Sequence, residues 1–198
     1  MKYFSQICAL ALMMAVSFVL VGCGGGGKNT PKAVSSASKV KLGEAQTYEY
    51  GVTFAAPEGW EAASRQKKTV VMFKNPNLEG QSVYVKVPEA SDVKTLATKE
   101  DAKDSGLTGE LVQIGDYVWM RKTQVSKDGN DDKFDNLICS TIQFGKVYTV
   151  TVRGFQNQNE NSDAIMNSVL SRIKFSEATE APAEKIDENT DFSAGLDF

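Results

Sequence analysis

The 198-residue chain contains no histidine. That removes Ser-His-Asp and Cys-His nucleophile activation, the commonest general acid–base group, and the usual zinc and haem ligand. Cysteine is scarce as well, with three residues at positions 8, 23 and 139. Positive charge is not in surplus: 22 Lys and Arg stand against 25 Asp and Glu, a net charge of −3. No basic nucleic-acid footprint follows from such a balance, and no nucleic-acid partner is expected. No cofactor is called for, and enzymatic activity is not expected.

A long hydrophobic run is also missing. Ile7 to Val21 is apolar apart from Ser17, about five residues short of the ~20 that an untilted spanning helix needs. It follows the short positive start Met1-Lys2 and ends in Leu20-Val21-Gly22-Cys23, with glycines at 24 to 27. This resembles the lipobox of bacterial lipoproteins. The resemblance implies cleavage between Gly22 and Cys23, diacylglycerol on the Cys23 sulfur, and an acylated new amino terminus. Three acyl chains at ~0.8 kcal/mol per buried methylene hold a protein on a membrane almost permanently. The expected location is the cell membrane or outer membrane, with membrane lipid as the partner of acylated Cys23 and the domain facing the periplasm or exterior. With Cys8 removed and Cys23 acylated, Cys139 has no thiol partner for a disulfide or a cysteine metal site. It lies in an apolar strand, as a small buried hydrophobe would.

Charge divides the rest of the chain. Residues 1–22 form the signal peptide. Residues 23–47 read as a Gly-, Ser- and Lys-rich linker, with lysines at 28, 32, 39 and 41 against Glu44. Residues 48–175 hold 16 basic and 17 acidic residues, an ordinary globular surface. Residues 176–198 carry seven acids and one lysine, the composition of a disordered acidic tail.

Within the domain, Gly51 to Ala55 runs as a strand into the turn Pro57-Glu58-Gly59-Trp60. Thr69 to Phe73 is a further strand. Ser82 to Val87 alternates, with Val83, Val85 and Val87 on one face and Tyr84 and Lys86 on the other. Ser91 or Asp92 is expected to cap a helix over 92–103. Strands follow at 110–114, 117–125 and 134–144, and Gly145-Lys146 should make a two-residue hairpin into 147–152. Asn161-Ser162 opens a helix whose stripe is Ile165, Met166, Val169, Leu170 and Ile173. The expected fold class is α+β: an antiparallel sheet with helices packed on it. The Gly-Val-Thr-Phe strand with its Pro-Glu-Gly-Trp turn, and the closing helix ending at Phe175, resemble the PsbP-like domains. That resemblance implies a central antiparallel sheet in an α/β sandwich, and a binding or assembly module without a catalytic motif.

Two segments invite a site. Asp128, Asn130 and Asp132 have the alternate spacing of the first EF-hand ligands. The pattern then fails, with Lys133 at the glycine position and Cys139 at the bidentate glutamate position. They remain weak calcium candidates beside a simple polar hairpin tip. Tyr117, Trp119 and Arg121 share one strand face, and with Trp60 and Tyr84 they could form a ligand or partner surface. Core packing uses the same residue types. The expected function is a membrane-anchored, non-catalytic module binding an unidentified protein or small molecule. A carboxylate-based hydrolase and a weak calcium binder are the alternatives.

Overall fold

The computed structural model describes residues 30–34, 40–64, 68–159 and 161–177. Cys23, the expected signal peptide at residues 1–22 and residues 178–198 lie outside the described residues. In chain order the elements are β1 (Lys32–Ala33), β2 (Gln46–Thr47), β3 (Val52–Phe54), β4 (Glu61–Ala62), β5 (Thr69–Lys74), β6 (Ser82–Lys86) and β7 (Glu89–Ala90). Then come α1 (Lys99–Asp104), β8 (Glu110–Ile114), β9 (Tyr117–Lys127), β10 (Lys133–Gln143), β11 (Lys146–Phe155), α2 (Ser162–Leu170) and β12 (Lys174–Phe175).

The large sheet is ordered β1-β8-β9-β10-β11-β6-β5-β4, with β7 pairing the start of β11. Its middle is the long meander β9-β10-β11, rich in β-branched residues and paired in continuous register from Phe134↔Phe155 to Gln143↔Lys146. Only β1 joins in parallel, beside β8, so the sheet is mixed at that edge. A small sheet, β12-β3-β2, lies with α2 on one face of the large one.

That covered face makes the core. Val83, Val85, Leu137, Cys139, Val150 and Val152 project from it. Ile165, Met166, Val169, Leu170 and Ile173 meet them from α2 and the turn after it, all buried, as the helical spacing predicts. Tyr148, buried under Phe175 at a centroid distance of 4.4 Å, donates its hydroxyl to the Tyr50 carbonyl at 3.0 Å. The small sheet is thereby fastened to the large one.

The helix expected over 92–103 is shorter and starts later. Residues 91–96 instead form an irregular, bent segment hydrogen-bonded to the β10–β11 hairpin. Ser91 N–H donates to Gly145 O at 2.8 Å, Gly145 N–H to Lys94 O at 3.0 Å, and Leu96 N–H to Ile142 O at 3.0 Å. The real cap is Thr98. Its hydroxyl accepts from Asp101 N–H at 3.2 Å, while the Asp101 carboxylate accepts from Thr98 N–H at 2.8 Å and Ala97 N–H at 3.0 Å. This reciprocal box satisfies the Thr98 and Asp101 N–H groups, and an aspartate completes it where the motif more often has glutamate. Those hydrogen bonds hold the Asp101 carboxyl below the usual carboxylate range. Thr98→Ala is expected to cost about 1 kcal/mol in urea unfolding at pH 7. Because the folded-state value is lowered, the advantage of Asp101 over Asn is present above about pH 4 and fades as pH falls through the folded value. Urea midpoints of Asp101→Asn and the parent should converge in acid.

The hairpin turn also sits one residue earlier than expected. Phe144 (φ 54°) and Gly145 (φ 72°) are its two central residues, closed by Gln143 and Lys146. Two consecutive positive φ values are the turn whose twist matches the strands. Phenylalanine tolerates that conformation poorly, which is why the glycine–lysine pair looked the better turn. Part of the stretch read as linker is packed. Val34, Val40 and Leu42 touch the core, Val40 N–H donates to the Ser168 hydroxyl at 2.8 Å, and Leu42 bridges to Pro57.

Candidate functional site

The expected aromatic surface is divided among three places. Tyr117, Trp119 and Arg121 do share a face, but it is the one beneath α2 and β12. Trp119 is 0% exposed, its indole donates to Ile114 O at 3.2 Å, and its ring lies 6.1 Å from Phe175. The Tyr117 hydroxyl accepts from Phe175 N–H at 3.2 Å, and Arg121 is ion-paired to Asp163 of α2. Trp60 is half-buried against the core at the turn before β4. Tyr84 stands on the opposite face of the sheet, between Thr151 and Met72 in register. The row Tyr117, Trp119 and Arg121 is therefore closing structure, and no surface gathers all five.

Asp128, Asn130 and Asp132 form the tip between β9 and β10. The Asp128 carboxylate accepts from Asn130 N–H at 2.9 Å and Asp132 N–H at 3.1 Å, so it is folded back on its own turn. Lys127 pairs with Asp131 at 3.0 Å. Among the described residues there is no group of three His, Cys, Asp or Glu side chains placed to hold a metal. Thermal melting of a chain beginning at residue 24 is expected to be the same in chelator and in millimolar calcium. Calcium at a hundred times its dissociation constant would add ~2.7 kcal/mol, several degrees of melting temperature. A rise of that size, abolished by Asp128→Asn with Asp132→Asn, would establish the loop as a metal site.

Cys139 is 0% exposed and burial pushes its thiol up to about 12. Its cross-strand neighbour Arg121 acts in the opposite direction, but the loss of solvation prevails. The thiol stays protonated and inert. That neighbour is 18 positions away, so no inspection of flanking residues finds it.

What remains is the face of the large sheet turned away from α2. α1 and the segment before it cover one corner, where Leu96, Ala102, Leu111, Met120 and Ile142 form a second small core. A shallow recess of about 370 Å³ at that corner is lined by Lys99, Lys103, Leu107 and Met120, with no carboxylate on its wall. Beyond it the registers align Lys122, Ile138, Thr151, Tyr84 and Met72 across five strands. A second row is Gln124, Asn136, Arg153, Ser82 and Lys74. Met72, Tyr84 and Ile138 belong to neither core. The Arg153 guanidinium lies 3.5 Å over the Phe134 ring, which in turn stacks on Phe155. Of these residues the sequence singled out only Tyr84. The alternation of Ser82 to Val87 was visible, but which strands are neighbours was not.

The domain is a β-rich α+β fold of the kind that presents a sheet face. No protein-family model matches the chain, and no curated protein sequence does. A 1.50 Å crystal structure of a Bacteroides thetaiotaomicron VPI-5482 protein superposes with a TM-score of 0.50 at 10% identity. The match covers 66% of this chain and 47% of that one, so this chain spans about half its length. A solution structure of cyanobacterial PsbP from Synechocystis sp. PCC 6803 aligns over 72% of this chain and 97% of that chain. The TM-score is 0.37 and the identity 11%, a distant likeness in fold that speaks to neither activity nor partner. Among the described residues no helix is long and apolar enough to cross a membrane.

Proposed function

We propose that this chain is an acyl-anchored extracytoplasmic lipoprotein whose folded domain works by binding, without catalysis. The observation that carries the binding reading is the sheet face opposite α2, where Tyr84, Ile138 and Arg153 are half-buried and Tyr84 and Ile138 belong to neither hydrophobic core. A sheet face is stable in this state only when its residues are compatible with water or with a partner. The mixture of one aromatic, one aliphatic and several hydrogen-bonding groups suits a partner contact. The anchor rests on Leu20-Val21-Gly22-Cys23 alone.

Two measurements test the two halves. Mass spectrometry of the native protein should find an acylated cysteine at the mature terminus, with Cys23→Ala leaving full-length precursor; a native chain starting at Met1 would sink the anchor. For binding, a photo-crosslinking residue at Ile138 should give a discrete adduct in native membranes, and the same residue at exposed Glu58 should not. Equal labelling from both positions, or none from Ile138, would remove the face from consideration.

A further inference from the structure

The open face is basic. Lys122, Lys86 and Lys74 are exposed on it and Arg153 is half-buried at its middle. Among the described residues none of the four has a carboxylate within ion-pair reach. The one acid in register with them is Glu61, at the margin on β4, and Glu89 lies at the far end beside Val147. Two polar atoms on the central strand add a second observation. Thr151 Oγ1 and Arg153 Nε are buried and have no hydrogen-bond partner, and Thr151 is only 1% exposed. Such groups are costly when left unmatched, and both are donors that an anionic acceptor would satisfy.

The chain itself contains a segment with the complementary chemistry. Residues 176–198 carry seven acids and one lysine, with Ile186, Phe192, Leu196 and Phe198 interspersed. We propose that this acidic segment occupies the basic sheet face of its own domain, its carboxylates on Lys74, Lys86, Lys122 and Arg153 and its apolar residues beside Ile138 and Tyr84. The inference rests on the binding reading above and deepens it: the segment would cover the surface through which the domain meets its partner, so a partner must displace it. Reach is ample. The 21 residues after Glu177 can span up to roughly 70 Å, and five strands at ~4.8 Å spacing make a face about 19 Å wide. A tether of this kind sets an effective concentration in the millimolar range, enough for weak ion pairs to act together.

Zero-length carbodiimide cross-linking of the full mature protein, followed by peptide mapping, tests this. Linkages from Glu184, Asp187, Glu188 or Asp191 to Lys74, Lys86 or Lys122 are expected in the monomeric product. Their yield should fall about fivefold between 0.1 M and 1 M salt, as the screening length drops from about 10 to about 3 Å. Arg153→Gln keeps every reactive lysine and should lower the yield about threefold through the loss of one ion pair. Linkages found only in dimers would assign the face to a second copy. Linkages only to Lys28, Lys32 or Lys39, or a yield unaffected by salt, would overturn the proposal. So would absent linkages together with phosphatidylglycerol-vesicle binding that Lys86→Glu abolishes, which would assign the face to a lipid surface. An Ile138 adduct in native membranes without internal linkages would refute the segment's docking while leaving the binding reading intact.

Discussion

Val169→Asp is expected to leave the domain unfolded, or nearly so, at 25 °C. Val169 is 1% exposed, one turn from Ile165 and Ile173 and packed among Met166, Leu170 and the sheet valines. A carboxylate there has no cation to pair with inside the apolar cluster, so it must either stay charged at a cost of several kcal/mol or take up a proton. Single changes of this kind belong to the class above 4 kcal/mol, a large share of the 5–15 kcal/mol that holds a typical domain. Near-UV circular dichroism and thermal melting of a chain beginning at residue 24 provide the check. Arg172→Ser, at an exposed position just beyond the same helix, should stay within about 0.5 kcal/mol of the parent. Were the Val169→Asp melt to match the parent, the seating of α2 on the sheet would be wrong.

Trp119→Ala should cost about 3–5 kcal/mol, the range for emptying a buried aromatic site. The ring is fully enclosed between the sheet and β12, with Phe175 and Tyr117 as aromatic neighbours. Its removal leaves a cavity at the point where the last strand closes the fold, and it also leaves the Ile114 carbonyl without the indole donor. Trp119→Phe fills most of the volume but cannot donate, so its smaller cost combines the lost hydrogen bond, about 1–2 kcal/mol, with a partial cavity. Urea titrations of the three proteins should rank them parent, Phe, Ala. If the alanine variant lost under 1 kcal/mol, the residue would be a surface group and the ligand-platform reading would return.

These two positions also show how far the sequence reads. Val169 was placed correctly because helical periodicity is a local property: five apolar residues at spacings of three and four leave one face to bury. Trp119 could be read two ways, since a strand presents an aromatic identically to a core and to a ligand. The helix expected over 92–103 failed for a related reason. Ser91 and Asp92 can cap, but residues 91–96 are hydrogen-bonded to the β10–β11 hairpin, and the cap passes to Thr98.

The absence of histidine, the strand-rich order and the apolar stripe of the last helix were legible from the amino-acid sequence. Each depends on residues close along the chain or on composition, which need no fold to be read. The tertiary structure alone places Arg121 beside Cys139, puts Tyr84 and Trp119 on opposite faces, and sets Lys74, Lys86, Lys122 and Arg153 on one face of the sheet. Those neighbours are brought together by strand order and register. A one-residue slip in pairing would turn every one of these side chains to the other face, and what holds the register is the long-range burial of the core.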